Sequence, residues 1–422
     1  MSHPAAEQLH RPLNTPGVRV LLLLIAVGAA VAAVRFRSGL GAVTHLDDRF
    51  PWGLWIAVDV ATGVALAAGG FTTAALAHIF HRRQYESLVR PALLTALLGY
   101  TFVALGLLVD LGRYYNIWHP ALPSMWSGHS PLFEVAMCVM AYLTVLYIEL
   151  VPILVERFSG RVRLPGPLAV LDRPVEAFLR LFDATLGRVM AVFIILGVVL
   201  SCLHQSSLGT LMLLAPSKMH PLWWTPILPL LFLLSAVAVG LAVVVFESLL
   251  AARTFHRRPE MKVLGSVAKI IPVILLVYLG FKVADLAIRG ALPRILEGSF
   301  ASIAFLIEVG VGVAVPIAMF ASARVRRSPR LLLTAATLTV LGVAWNRIDV
   351  FLVAYTPPYA THRYVPSFGE VAVTVGLIAA LVLVYRVLIT VLPILPAEER
   401  TAHDRPDRPV SRVRVAEDWG NW

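Results

Sequence analysis

Runs of about 20 apolar residues recur along the 422-residue chain, and each is long enough to cross a hydrocarbon layer of roughly 30 Å. In lipid every backbone N–H and C=O must be satisfied within the protein, so such runs fold as helices. Ten spans are expected, at about 18–34, 53–79, 89–111, 131–153, 188–204, 226–250, 267–288, 299–322, 331–350 and 369–392. Only 14% of the residues are charged, where a soluble domain carries about a quarter. The fold class is therefore all-α, a polytopic membrane protein.

The net charge of +11 is not a nucleic-acid footprint, because the basic residues sit in short loops between apolar runs. Arg82, Arg83 and Arg90 follow the second run; Arg157, Arg161, Arg163 and Arg173 follow the fourth. Arg253, Arg257, Arg258 and Lys262 follow the sixth, and Arg324, Arg326, Arg327 and Arg330 the eighth. The alternate loops hold little more than Arg113, Lys218 and Arg363; the first loop, with Arg35, Arg37 and Arg49, dissents. The positive-inside rule then puts both termini in the cytoplasm and the Arg-poor loops outside. The expected division is a cytoplasmic segment 1–17, a membrane domain 18–392 and a basic, solvated tail 393–422. Between 167 and 186, Leu171, Val175, Phe178, Phe182 and Leu186 recur at helical steps. That spacing suits an amphipathic helix on the inner interface, or equally an ordinary loop helix.

The stretch Leu203–Trp224 breaks the apolar pattern most sharply. His204, Gln205, Ser206 and Ser207 end an apolar run, and a segment with Pro216, Lys218, His220, Trp223 and Trp224 follows. On the orientation above, it lies on the outer side with Asp59, Asp110, Arg113, His129, Glu134, Asp285, Asn346, Arg347 and Glu370. Polar groups at membrane depth are costly and pair inward, so they mark a site. A titratable imidazole among hydrogen-bonding groups beside lipid suits a quinone, whose carbonyls need donors and whose reduction needs protons. His204 and Glu134 are the candidate proton exchangers, and Gln205, Ser206, Asn346, Arg347 and Asp59 the candidate quinone-binding groups. Asp110, Arg113, His129, Asp285 and Glu370 are expected to support them. Deeper carboxylates, Glu308, Glu149 and Glu247, mark a possible proton path, or for Glu308 simply a buried hydrogen-bonded acid.

Resident cofactors are not expected. A b-type haem in a bundle needs facing histidines, and His78 and His204 fall toward opposite sides. The two cysteines, Cys138 and Cys202, are too few for an iron–sulfur cluster, and no metal-ligating motif is present.

Several blocks resemble the NrfD/polysulfide-reductase membrane subunits, and within them the HybB-type subunits of nickel–iron hydrogenases. They are Pro51-Trp52-Gly53-Leu54-Trp55-Ile56, Ala67-Ala68-Gly69-Gly70-Phe71, Leu88-Val89-Arg90-Pro91-Ala92, Asp110-Leu111-Gly112-Arg113 and Trp118-His119-Pro120. His129-Ser130, Phe133-Glu134-Val135, the Leu203–Trp224 stretch and Phe368-Gly369-Glu370 complete the set. The resemblance covers about residues 50–392 and implies ten helices built around paired four-helix bundles, without haem. It also implies a subunit that passes electrons between a membrane quinone (menaquinone or ubiquinone) and a ferredoxin-like iron–sulfur partner on the periplasmic face of the bacterial inner membrane. A hydrogenase or molybdopterin catalytic subunit would lie beyond that partner. Such a subunit is not catalytic alone. The alternatives are a secondary transporter or proton pathway without redox role, and a structural membrane anchor.

Overall fold

The computed structural model describes residues 6–7, 14–158 and 172–396. Among them are ten helices long and apolar enough to cross a membrane. They are α1 (Pro16–Ser38), α2 (Trp55–Ile79), α3 (Arg83–Asp110), α4 (Pro131–Phe158) and α5, whose membrane portion is Val189–Leu213. Then come α6 (Leu228–Phe255), α7 (Met261–Ile288), α8 (Phe300–Ala321), α9 (Pro329–Val353) and α10 (Phe368–Val391). The chain is a multi-pass integral membrane protein.

Local sequence sets several helix starts. Pro16 and Pro329 occupy first helical positions, where the missing N–H is no loss. Thr15, Ser299, Ser328 and Ser367 accept orphan N–H groups from the first turns, and Ser367 with Glu370 forms a complete capping box.

Helix α5 differs from expectation. It runs unbroken for 42 residues, Asp172–Leu213, so the described part of the 167–186 segment is the start of a spanning helix; residues 167–171 lie outside the described residues. At its other end it continues nine residues past His204, about 14 Å at 1.5 Å per residue. The His204 group is thus deep in the bundle and not at a helix end.

Helices α2–α5 close one four-helix bundle and α6–α9 a second, joined through α2, α5, α6 and α9. Helices α1 and α10 pair with each other and lie against α3 and α2. The bundles meet backbone to backbone: a Cβ added to Gly240 would lie 2.7 Å from the Ala68 carbonyl carbon. Small residues permit such contacts between membrane helices. Within the second bundle, Gly312 and Gly342 touch through their Cα atoms in the same way.

Four π-helical segments interrupt the spans, at Trp55–Thr62, Ala75–Ile79, Gly310–Ala314 and Asp349–Val353. Asp59 and Asp349 lie within two of them, and Glu308 lies two residues before a third. An inserted residue rotates the following side chains and leaves local carbonyls to find other partners.

At one end, the connecting segments are knitted together. His220 N–H donates to the Ala354 carbonyl (2.8 Å), Thr356 N–H to Lys218 (2.7 Å), and Met219 bridges Tyr355. At the other end, three arginines hold the chain after α10: Arg157 binds the Val391 carbonyl (2.9 Å), Arg90 that of Pro393 (3.0 Å) and Arg257 that of Pro396 (2.6 Å). Leu395–Pro396 pairs with Ala6–Glu7 as a short antiparallel ladder. Residues 393–396, expected as the start of a solvated tail, are therefore tied down; 397–422 lie outside the described residues.

Candidate functional site: three buried polar groups

The residues expected to line one pocket are distributed over three groups. The first is built on α3, α4 and α5. His204 is fully buried, and its Nδ1 shares a hydrogen bond with the Tyr100 hydroxyl (3.1 Å). The Tyr100 ring packs edge-on to Tyr142, with centroids 4.6 Å apart, and both phenols lie beside Ser201. The second imidazole nitrogen, Nε2, is buried without a hydrogen-bond partner among the described residues. One helical position on, the Gln205 amide donates to the Val64 carbonyl (2.7 Å), so α5 is pinned to α2. That carbonyl lies just beyond the π segment of α2. Ser206 is half-buried and bonds back to Leu203 of its own helix.

The second group lies in the other bundle. Glu308 is buried and receives Lys282 Nζ, the Trp223 indole N–H (2.7 Å) and the Asn346 amide (2.9 Å). Lys282 also donates to the Tyr278 hydroxyl (3.2 Å). Arg347 is 1% exposed and donates to Asn346 (2.6 Å), Ser235 (2.8 Å) and the Phe232 carbonyl (3.2 Å). Its guanidinium sits 3.7 Å from the Phe232 ring centroid. Lys282 and Arg347 both face Glu308, and beside it Asp349 has both carboxylate oxygens buried without hydrogen-bond partners among the described residues. Toward the loops, Asp285 accepts from Thr225 (2.6 Å) and Arg289 (2.6 Å), and a cavity of about 10 Å³, room for about one water, separates it from Lys282.

The third group joins α1, α2, α3 and α10. Asp59 accepts from Thr374 (2.7 Å), and Arg35 donates to the Val109 carbonyl (2.5 Å) and to that of Leu111, satisfying the open C-terminus of α3. Asp110 lies beside Arg35. Glu370 is fully buried and accepts from the Tyr364 hydroxyl, the Ser367 N–H (2.9 Å) and the His45 N–H (3.2 Å).

Glu134, His129 and Arg113 are exposed. Glu134 opens α4 eight residues before Tyr142, about 12 Å above the His204 group. Of the deeper carboxylates, Glu308 is in the second group, Glu247 accepts from Thr95 (2.7 Å) near the opposite end, and Glu149 lines a second small cavity below Tyr142.

Lys282, Tyr100 and Tyr142 were not singled out from the sequence, and Trp223 was named only as part of the Leu203–Trp224 stretch. Lys282 carried a legible signal, a lone cation in the apolar run Gly280-Phe281-Lys282-Val283. Tyr100 carried none, since a tyrosine in an apolar run reads as core. Arg35 looked like a loop charge, but at 1% exposure it is an internal helix cap.

Residues 42–358 match the family described as "Polysulphide reductase, NrfD". The chain is 35% identical to a probable Ni/Fe-hydrogenase 2 b-type cytochrome subunit of Escherichia coli, over 96% of this chain and 98% of the relative. A protein of Nitratidesulfovibrio vulgaris is 36% identical over 92% and 96% of the two chains. The menaquinone reductase integral membrane subunit of the same organism is 29% identical over 86% and 87%.

The first of these names overturns one expectation. A b-type cytochrome subunit is a haem protein by name, so the reading of this family as lacking haem is withdrawn. In this chain His204, whose Nε2 is buried without a hydrogen-bond partner among the described residues, is the residue that could hold a haem, which would supply one-electron transfer. The match over most of the chain, the ten helices and the near-full-length relatives lead to one assignment: the chain belongs to the polysulphide reductase NrfD family.

Proposed function

We propose that this chain is the quinone-reactive membrane subunit of a multi-subunit oxidoreductase, with His204 at its reactive site. The observation that carries the reading is a buried imidazole with one nitrogen held by Tyr100 and the other open. Reduction of a quinone takes two electrons and two protons, and an imidazole is the side chain that best gives and regains a proton near neutral pH. Val199 and Leu203 are exposed on the same helix, so an isoprenoid tail can reach this level from the lipid. Gln205 fixes the helix against α2, while Ser206 and Glu134 stand on the approach to the site. Burial of His204 keeps water from competing for its open nitrogen.

Electrons would come from, or go to, a ferredoxin-like iron–sulfur partner on the 214–227 end, and through it a hydrogenase-type catalytic subunit. Kinship with hydrogenase and menaquinone reductase membrane subunits supports this arrangement. That end is the periplasmic one if the Arg-rich loops are cytoplasmic, with both termini on the cytoplasmic side of the bacterial inner membrane. The capping role of Arg35 favours this orientation, because it removes one charge from the dissenting first loop. Asp59, Asp110 and Glu370, and across the bundle Asn346, Arg347 and Asp285, shape the field above the site. Glu308, with three donors, acts as the fixed counter-ion of Lys282.

A second reading rests on the same nitrogen, since Nε2 ligated to a haem iron cannot also donate to a quinone. The test is His204→Ala in the assembled complex. Binding of the quinone analogue 2-heptyl-4-hydroxyquinoline N-oxide, followed by its fluorescence quenching, is lost while subunit stoichiometry is kept. Unchanged binding would sink the quinone reading. A Soret absorbance in the wild type that disappears in the variant would establish the haem reading instead.

A further inference from the structure

Below His204 a line of polar side chains continues through the first bundle toward the opposite end. It starts at the hydrogen bond between His204 Nδ1 and the Tyr100 hydroxyl (3.1 Å). Tyr100 packs on Tyr142, and Ser201 lies beside both phenols with its own hydroxyl buried and without a partner among the described residues. One serine rotamer step can therefore join the two phenols. Tyr142 also borders a cavity of about 10 Å³, room for about one water, whose far wall carries Glu149.

Two glycines keep that cavity open. A Cβ on Gly197 would come within 3.0 Å of Glu149 Oε1 and 3.6 Å of the Tyr142 ring, filling the gap between them. A Cβ on Gly70 would collide with Ala96 Cβ at 2.5 Å and reach 3.8 Å from the Tyr142 hydroxyl. An apolar packing face would close such a space, but here it is bounded by a phenol and a carboxyl. His204 lies nine residues before the end of α5, and Glu149 nine before the end of α4. Each is about 14 Å from the end of its own helix, and Gly197, which faces Glu149, lies seven residues or about 10 Å from His204 along α5. The other titratable groups facing it are Cys138 on α4 and Cys202 on α5. Among the described residues, no ion pair like that of Lys282 and Glu308 blocks it.

We propose that His204 exchanges protons with the Glu149 end of the molecule through Tyr100, Ser201, Tyr142 and the water-sized cavity. This rests on His204 being the quinone-reactive group. In the reducing direction, quinone receives two electrons from the iron–sulfur partner, one proton from His204 Nε2 and the other from water at the outer face by way of Glu134. The imidazole regains a proton at Nδ1 from Tyr100, whose hydroxyl is reprotonated through Ser201 and Tyr142 from Glu149. Glu149 is then refilled from its own side; within the protein only O–H and N–H bonds change, while the two electrons convert the quinone carbonyls to hydroxyls.

The experiment uses the whole complex in its native membranes, with dithionite-reduced benzyl viologen as electron donor and decylubiquinone as acceptor. Glu149→Gln, Tyr142→Phe and Gly197→Ala should each keep quinoline N-oxide binding within about twofold of wild type. Turnover should fall by about 10²-fold or more, the lower range for losing a proton-transfer group, with an enlarged solvent deuterium isotope effect. Wild-type turnover and isotope effect in assembled Glu149→Gln would overturn the proposal. So would loss of analogue binding in all three variants, which would make the line structural. If Glu149→Gln does not assemble, Tyr142→Phe decides by the same criteria. A failure of the His204 reading shows separately, as analogue binding that survives His204→Ala.

Discussion

Removing Lys282 tests the energetics of the second buried group most directly. Lys282 Nζ contacts Glu308 at 5% exposure for the lysine and 1% for the glutamate. At a usual ammonium–carboxylate separation of about 2.8 Å and an effective dielectric constant of about 20, the attraction is about 6 kcal/mol. Lys282→Met keeps the volume and deletes the charge, leaving Glu308 with the Trp223 and Asn346 donors at 2.7 and 2.9 Å. Those bonds offset part of the loss, so the net destabilisation should fall at about 3–5 kcal/mol, as for other buried pairs broken on one side. For a chain of this size that lowers the unfolding midpoint by several degrees. The assay is thermal unfolding of the detergent-purified protein. It is run for Lys282→Met, Glu308→Gln and the double variant. The double variant should recover most of the Lys282→Met loss, because a neutral amide no longer needs the cation. An unchanged midpoint in Lys282→Met, or strictly additive losses in the double variant, would refute the reasoning.

Two further predictions concern packing and the loops. Gly240→Ala sets a methyl group 2.7 Å from the Ala68 carbonyl carbon and 2.9 Å from Gly69 N. Backbone cannot yield there, so the variant should fail to accumulate in membranes, whereas Gly112→Ala, with open space around it, should accumulate normally. His220, in the loop before α6, is held below the ordinary imidazole value, by burial first and then by the charge of Arg294. Its Nδ1 accepts the Leu222 N–H (3.3 Å), which only a neutral ring can do. A lowered folded value means this stability is present above the ordinary imidazole range and is lost as pH falls through the folded value. Amide exchange across 214–227 and 354–367 should therefore quicken in mild acid, and His220→Gln should flatten that dependence.

Much of the architecture was legible because hydrophobic length is a local property. Each run long enough to span did span, and the blocks around Trp52, Arg90, Asp110 and His204 pointed to the family that the match over 42–358 shows. Seryl and threonyl caps and first-turn prolines likewise act within a few residues of themselves. Where α5 ends was not legible. The polar run at His204 looked like a terminus, yet Tyr100 and Val64 of neighbouring helices satisfy it and the helix continues to Leu213.

Membership in the site was decided by tertiary structure alone. His204, Arg347 and Asp59 lie at comparable depth in their helices, which suggested a single pocket, but depth says nothing about which neighbour a side chain faces. Helix rotation and the π segments send Asp59 to Thr374, Arg347 to Ser235 and His204 to Tyr100. A hydropathy pattern distinguishes polar from apolar surroundings and carries no partner identity, so Lys282 could not be matched to Glu308, 26 residues away. The sequence determined that costly polar groups would be buried in the membrane; only the packed helices decided which of them meet.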